Sequence, residues 1–583
     1  MNKSTGTRTA LAILLLAAML FSTACSAAPG KTHPVSSEML PFYYLSEENC
    51  TDIEVFFMNG NRQIPYVSPE TWRTLFLKLY NEGCLDFPAD PDFSLELACD
   101  AGIVTYTREN GSTMTLDCSK DVVSFSDFDA FTAHSYSATL IDVLHMDCAN
   151  DAGEPEYLSR VSGSHDRAGG PAAIDMAAYG IDFIYLDGGY YIPVQIMSDL
   201  LTPLSYVNFH YNTESLMFFD YGTMLVGGNL GEVYYSVEPQ ERSQELIDFT
   251  YGEICMMMDC FFGFREEHNV NSFDEYFSET FMDGVSLRDR LKSSDSLDME
   301  RALNYMITFG IDDMHSCHMF SGFYTGLDAD AYVDSSNGNS TDILFSIMYK
   351  QLDARDRIYP DGVPGYEEYG NTAYVTFDHF SPPYEDYYAQ PADENAEDTF
   401  GIIEYAHSRI CREDSPIENV VLDLSCNGGG AEDAAIYVLS WMLGSAGISL
   451  EDTFSGATAT TYYMADVNMD HAFTDEDNVS GLNLYCLISP CSFSCGNLVP
   501  CALKESGMVT LIGQPSSGGA CAVQPMTTAS GSYFQMSGYK RLCTVQNGLY
   551  YHIDRGVTPD FTLSKAESFY DRAALTDYIN GLF

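Results

Sequence analysis

The chain of 583 residues is long enough for several domains and a sizeable core. Its 27 Lys and Arg against 84 Asp and Glu give a formal net charge of −57, which argues against partners such as nucleic acid and anionic lipid and predicts a soluble acidic surface. The 17 cysteines contain no pair of CxxC motifs, so a structural zinc site is not expected, and any disulfide connectivity stays open.

Lys3 and Arg8 precede an apolar run, Ala10 to Phe21, that is too short to span a bilayer and reads as an export signal. Ser22-Thr23-Ala24-Cys25 follows. Small residues before a cysteine resemble a bacterial lipoprotein cleavage site, with Cys25 as the lipidated first residue. Ser22 departs from the Leu usual in that pattern, and ordinary cleavage after Ala28 is the alternative. Residues 1–24 therefore read as a signal peptide and 25–46 as a tether. The expected location is the bacterial cell surface, with a lipid anchor at Cys25 as the membrane contact, or else secretion. No later run is long and apolar enough for a transmembrane helix.

Residues 47–232 read as β-rich modules with two weak repeats. Val55–Gly60 precedes Ile64-Pro65-Tyr66-Val67, and Phe183–Gly188 precedes Ile192-Pro193-Val194. In each, a strand reaches Asn-Gly or Asp-Gly and a second strand starts with Ile-Pro. Short helices are predicted at Trp72–Leu79 and Gln195–Leu201. These units resemble the β-hairpin-plus-helix module at the start of copper amine oxidases, although nothing here supplies copper chemistry. Across 233–320 the period becomes helical, through Leu246, Phe249, Ile254 and Met257, then Leu297 to Phe309, with Gly310 as a C-cap. Asp313-Met314-His315-Ser316 follows. Met319 to Glu368 reads as a polar connection with little pattern, too short for an inserted PDZ-type domain.

In 321–583, a strand at Thr372–Phe377, a helix at Thr399–Arg409 and a buried strand at Val420–Leu424 imply a parallel α/β layer. Asn427-Gly428-Gly429-Gly430 then lets backbone approach a ligand and offer N–H groups to an oxyanion. Ser494 follows the strand Leu484–Ile488 and precedes a helical stretch. At that position a serine is often simply a cap, unless a glycine loop stands beside it.

Asp423-Leu424-x-x-Asn427-Gly428-Gly429-Gly430, Ser492-Phe493-Ser494, Gly513-x-Pro515-x-x-Gly518 and Gly556-Val557-x-Pro559-Asp560 together resemble the tail-specific (C-terminal-processing) serine peptidase family, including its tricorn-core and retinoid-binding-protein branch. The resemblance covers roughly 240–583. It implies an α/β fold with a crotonase/ClpP-like C-terminal peptidase core preceded by a helical segment, to which the pattern of 47–232 adds a β-rich α+β N-terminal region. It implies Ser494 as nucleophile and an oxyanion hole from Gly429, Gly430 and Cys495. Where many members carry a basic lysine this chain has Gly519, so the base implied is the tricorn-like histidine, His315, with His318 the residue to be confused with it. The implied acid is Asp554, although the family usually has Glu there with slightly different spacing. Ser425 departs from a frequent Arg. No cofactor is required; the substrate would be a protein or peptide. A catalytically inactive peptide- or ligand-binding surface lipoprotein on the same fold is the alternative.

Asp466, Asn468, Asp470, Thr474 and Asp477 have the spacing of a calcium loop, which would be structural. His471 stands where Gly is expected, and Asp477 where Glu is usual. Cys491 and Cys495 flank the Ser494 turn, either as a strained disulfide or as two buried thiols.

Overall fold

The computed structural model describes residues 34–83, 89–135, 137, 157–201, 206–220, 229–327 and 340–582. The export segment and Cys25 lie outside the described residues. Within them, no helix is long and apolar enough to cross a membrane.

The N-terminal half contains β1 (Val35–Tyr44), β2 (Cys50–Met58), β3 (Tyr66–Val67), helix α1 (Pro69–Glu82), β4 (Leu95–Asp100), β5 (Ile103–Arg108), β6 (Thr113–Asp117), β7 (Val122–Phe125), β8 (Leu158–Arg167), β9 (Ala172–Asp175), β10 (Ile184–Leu186), β11 (Gly189–Pro193), helix α2 (Val194–Leu201), β12 (Val207–Tyr211) and β13 (Leu216–Asp220). The two repeats meet through their second strands, since β11 pairs antiparallel with β3 (Ile192 opposite Val67) in a sheet of order β10-β11-β3-β2-β1-β13-β12. Both turns work as their residues predict. Asn59 and Gly60 have φ of 55° and 75°, and Asp187 and Gly188 have 52° and 85°, the left-handed region that Gly enters freely and Asn and Asp tolerate. The predicted helices are α1, capped by the Ser68 side chain on the Thr71 N–H, and α2.

Helix α3 (Gln244–Phe261) and helix α4 (Ser296–Tyr305) form the helical segment, with a small hairpin, β14 (Phe281–Met282) and β15 (Val285–Ser286), between them. Gly310 does not cap an α-helix. Instead Met306–Gly310 is a π turn, and the Ile311 N–H bonds to the Met306 carbonyl. Such wide turns recur beside functional sites because they re-aim the chain that follows.

The core carries two sheets. One is β17 (Tyr366–Tyr369), β18 (Thr372–Thr376), β19 (Asn419–Asp423), β22 (Asn483–Ile488), β23 (Val509–Gly513) and β27 (Phe561–Thr562) in that spatial order, parallel from β18 onward. Helices α6 (Thr399–Ile410), α7 (Glu432–Leu443) and α8 (Cys495–Ser506) make its crossovers. Every residue of β18 and β19 is buried, as a strand covered on both faces must be. The second sheet runs β16 (Cys317–Phe320), β25 (Tyr533–Gln546), β20 (Ala446–Asp452), β21 (Thr458–Ala465) and β8, with β24 (Cys521–Thr527) and β26 (Leu549–His552) also on β25. The α/β core, helical segment and β-rich α+β region are thus those the motifs imply. The connection after Met319 differs from expectation, because it contains a seventeen-residue helix, α5 (Ser340–Asp356).

Candidate active site

Open parallel sheets offer their sites at the carboxyl ends of the strands. Beyond β19, the wholly buried Asn427 organises the glycine loop. Its Nδ2 donates to the Phe377 carbonyl (3.1 Å), its Oδ1 accepts the Gly429 N–H (2.9 Å), and its carbonyl accepts the Phe493 N–H (3.1 Å). One residue therefore ties the loop to the end of β18 through its side chain and to the serine turn through its main-chain carbonyl. Gly429 and Gly430 have φ of 113° and 134°. A Cβ on Gly429 would lie 2.6 Å from Ser494 Cβ, and one on Gly430 would lie 2.2 Å from the Phe380 carbonyl oxygen. Glycine is required at both positions by conformation and by space. Among the described residues, neither the Gly430 nor the Cys495 N–H has a protein acceptor.

The turn after β22 is fastened by its own hydroxyls. Ser489 Oγ donates to the Ser425 carbonyl (2.5 Å) and Ser492 Oγ to that of Leu424 (2.7 Å). Ser494 follows with φ 55° and ψ −125°, a conformation costly for a residue with a Cβ, and its side chain makes no cap bond to helix α8. Its N–H is held by the Gly518 carbonyl (2.9 Å). The capping role open to this serine is therefore not the one it takes. A partly exposed hydroxyl, uncommitted among the described residues, stands on a strained strand-to-helix turn, the geometry that presents a nucleophile.

His315 is buried, and its ring centroid lies 4.6 Å from that of Phe493, the neighbour of Ser494. Gln535 Nε2 holds the His315 carbonyl (2.7 Å), while Nδ1 has no hydrogen-bond partner among the described residues. Burial lowers the imidazole pKa below its ordinary 6.5, and the carboxylates of Asp313 and Asp554 oppose that shift. Asp313 also accepts from Ser316 Oγ (2.5 Å). Asp554 Oδ1 receives the N–H groups of Gly519 (3.1 Å) and Ala520 (3.3 Å). A Cβ on Gly519 would lie 2.8 Å from the Phe493 ring and 2.9 Å from the Ser494 nitrogen. No side chain, lysine included, fits there without displacing the serine turn. His318 is committed elsewhere, with Nε2 2.6 Å from Glu300 Oε1 while Ser532 Oγ donates to Glu300 Oε2 (2.7 Å).

His379 was not anticipated. It is exposed just past β18, and its Cε1 is 2.9 Å from where a Gly430 Cβ would stand. Its signal was available in the Asp-His that follows a buried parallel strand. Ser425 brings no charge of its own to the loop, but Arg572, from helix α9 (Arg572–Asn580), lies under the strand end. It pairs with Asp423 (2.8 Å) and Glu367 (2.8 Å) and is 1% exposed.

The candidate calcium loop is turned inward on its own backbone. Asp466 accepts from Tyr388 OH (2.9 Å) and the His471 N–H (2.8 Å), and Asp477 from the N–H groups of Val467, Asn468 and Thr474. Asn468 Oδ1 and Asp470 Oδ1 accept the N–H groups of Asp470 and Ala472. Among the described residues no group of three His, Cys, Asp or Glu side chains is gathered as a metal would need, so these residues do not fit the ion as they stand. Cys491 and Cys495 are buried free thiols.

Residues 371–563 match the model of Peptidase family S41. No curated protein matches the chain. Among solved structures it is similar to a candidate peptidase from Parabacteroides merdae (15% identity over 59% of this chain and 98% of that one, TM-score 0.39). It is similar to mature CPAF complexed with lactacystin (10%, 58% and 97%, TM-score 0.35) and to a lipoprotein from Streptococcus agalactiae (13%, 51% and 86%, TM-score 0.30).

Proposed function

From the membership of residues 371–563 in peptidase family S41, we propose that this peptidase works by a Ser/His mechanism on protein or peptide substrates. Ser494 Oγ attacks the scissile carbonyl and His315 takes its proton, which a serine alone does not lose near neutral pH. The unpaired N–H groups of Gly430 and Cys495 receive the oxyanion, with Gly429 shaping the loop. The Asp554 carboxylate offsets the charge of the imidazolium, the same proton passes to the leaving amine, and water activated by the imidazole then releases the acyl group from Ser494. The observation that carries this reading is the strained Ser494 with its hydroxyl uncommitted. The test is labelling by a fluorophosphonate probe. Wild type labels, Ser494→Ala and His315→Ala do not, and an unlabelled wild type that cleaves no peptide library ends the proposal.

Export with lipid on Cys25 belongs to the same proposal. It is supported by the basic start, the short apolar run and the small residues before the cysteine.

A further inference from the structure

The loop that runs from the π turn to His315 is held from outside along its length. Tyr276 OH donates to the Gly310 carbonyl (2.6 Å), Ser340 donates its N–H (2.9 Å) and its hydroxyl (2.8 Å) to the Asp312 carboxylate, and Gln535 holds the His315 carbonyl. Asp312 has a φ of 43°, an angle that a residue with a Cβ keeps only where its surroundings impose it.

The Ile311 carbonyl, within this run, is held by a group that titrates. His268, on the turn after helix α3, has Nε2 2.8 Å from the Ile311 oxygen and Nδ1 2.9 Å from the Phe264 oxygen. Carbonyl oxygens only accept, and a neutral imidazole carries one proton, so it would aim a lone pair at one of the two oxygens. Both contacts are hydrogen bonds only when both nitrogens carry protons. The Phe264 carbonyl also takes the His268 main-chain N–H (3.0 Å), whereas among the described residues the Ile311 carbonyl has no second donor. His268 is exposed, with the Phe262 ring beside it (centroids 5.4 Å apart), so water can deliver and remove the proton. The charged groups on the two elements it joins are Arg265, Glu266 and Glu267 on its own turn and Asp312 and Asp313 on the loop. Glu267 pairs with Arg541, and Asp312 and Asp313 accept from Ser340 and Ser316.

Resting on the Ser/His reading, we propose that His268 is a positioning residue for the base: as an imidazolium it clamps the Ile311 carbonyl and fixes the loop that aims His315 at Ser494. It touches no reacting atom. The two histidines then oppose each other in pH. His315 works when neutral and gains as pH rises, while His268 works when charged and is lost as pH rises. Activity therefore climbs and then declines to a lower plateau, on which a loosened loop still carries the base.

The test measures kcat and KM from pH 5 to 9 for wild type, His268→Arg and His268→Gln. Arginine keeps a charged donor at every pH, so the alkaline decline should vanish while the acid limb stays. Glutamine does not titrate and donates through one nitrogen, so this variant should lie about tenfold down in kcat, with KM close to wild type and no alkaline decline. An alkaline decline that persists in both variants, or none in wild type, overturns the proposal. A second measurement needs no catalysis. Imidazole nitrogen NMR on the full chain carrying Ser494→Ala, with His268 assigned by its loss in His268→Gln, should show both its ring nitrogens protonated at pH 5. The His315 signals should show a step where His268 gives up its proton, absent in His268→Gln. His315 signals without that step overturn the clamp, even if the Arg variant folds poorly. Absence of fluorophosphonate labelling in the wild type, with that step intact, sinks the Ser/His reading and leaves the clamp standing.

Discussion

Asp199 on α2 and Glu253 on α3 form a wholly buried carboxyl pair between the N-terminal region and the helical segment, and it sets a pH dependence of stability. Gln195 Nε2 donates to Asp199 Oδ1 (3.1 Å) and the Ala529 N–H to Glu253 Oε2 (2.7 Å). The remaining oxygens, Asp199 Oδ2 and Glu253 Oε1, have no other partner among the described residues and bond to each other once one carboxyl keeps its proton. Burial with no cation in contact pushes Asp199 up from 3.8 to about 8. In the unfolded chain both groups ionise near pH 4, so between there and about 8 the folded state holds the extra proton. Burial and the neighbouring Asp199 raise Glu253 further still, so stability must fall as pH rises from about 4, by at least about 1.4 kcal/mol per unit while the folded pair keeps a proton that the unfolded chain has lost. Over the roughly four units up to pH 8 the loss is on the order of 5 kcal/mol or more. Asp199→Asn supplies an N–H in place of the shared proton and should make that slope shallower, the buried Glu253 keeping the rest. Urea unfolding of wild type and variant at pH 5, 6, 7 and 8 measures it. Parallel pH profiles for the two chains would refute the shared proton.

Ser494→Ala should lower kcat by up to about 10⁶-fold while leaving the urea midpoint close to wild type, since the hydroxyl makes no cap bond. The acid limb of kcat/KM should fall below 6.5, because the base acts only when neutral and burial lowers the His315 pKa; a limb above 6.5 speaks against His315. Gly429→Ala places a Cβ against Ser494 at a φ of 113°, so fluorophosphonate labelling should be lost at a cost of only about 1–3 kcal/mol in stability. Arg572→Met leaves Asp423 buried without its cation and should destabilise by about 3–5 kcal/mol in urea unfolding. Cys25→Ala should abolish incorporation of labelled palmitate if that cysteine carries lipid.

Local chemistry made part of this fold legible. Asn59-Gly60 and Asp187-Gly188 mark their turns because few residues tolerate positive φ, and Val420–Leu422 reads as buried because a doubly covered strand has no polar face. Ser494 was placeable at a strand-to-helix turn, but its freedom from capping depends on a backbone angle that no side chain announces. Helix α5 escaped because Ile343-Leu344-Phe345 and Ile347-Met348-Tyr349, though four apart position for position, spread apolar side chains around most of the helix instead of along one stripe, a pattern that fits a helix with little packed face. The polar strand β8 pairs with a partner almost 300 residues away, so nothing in its neighbourhood signals a strand. The reason for Gly519 is likewise tertiary, since it lies in the ring of Phe493.

The pairing of β8 with β21 has a consequence for any shortened form. The sheet that begins with β16, the strand leaving His315, ends with β8, whose residues Leu158–Arg167 run antiparallel along Ala465–Thr458. A chain starting at residue 233 would bare the backbone donors and acceptors of β21 as a ragged margin, ready to zip onto the same margin of another molecule. The β-rich region that precedes the core in sequence thus supplies the selvedge that keeps the peptidase sheet from knitting to its neighbours.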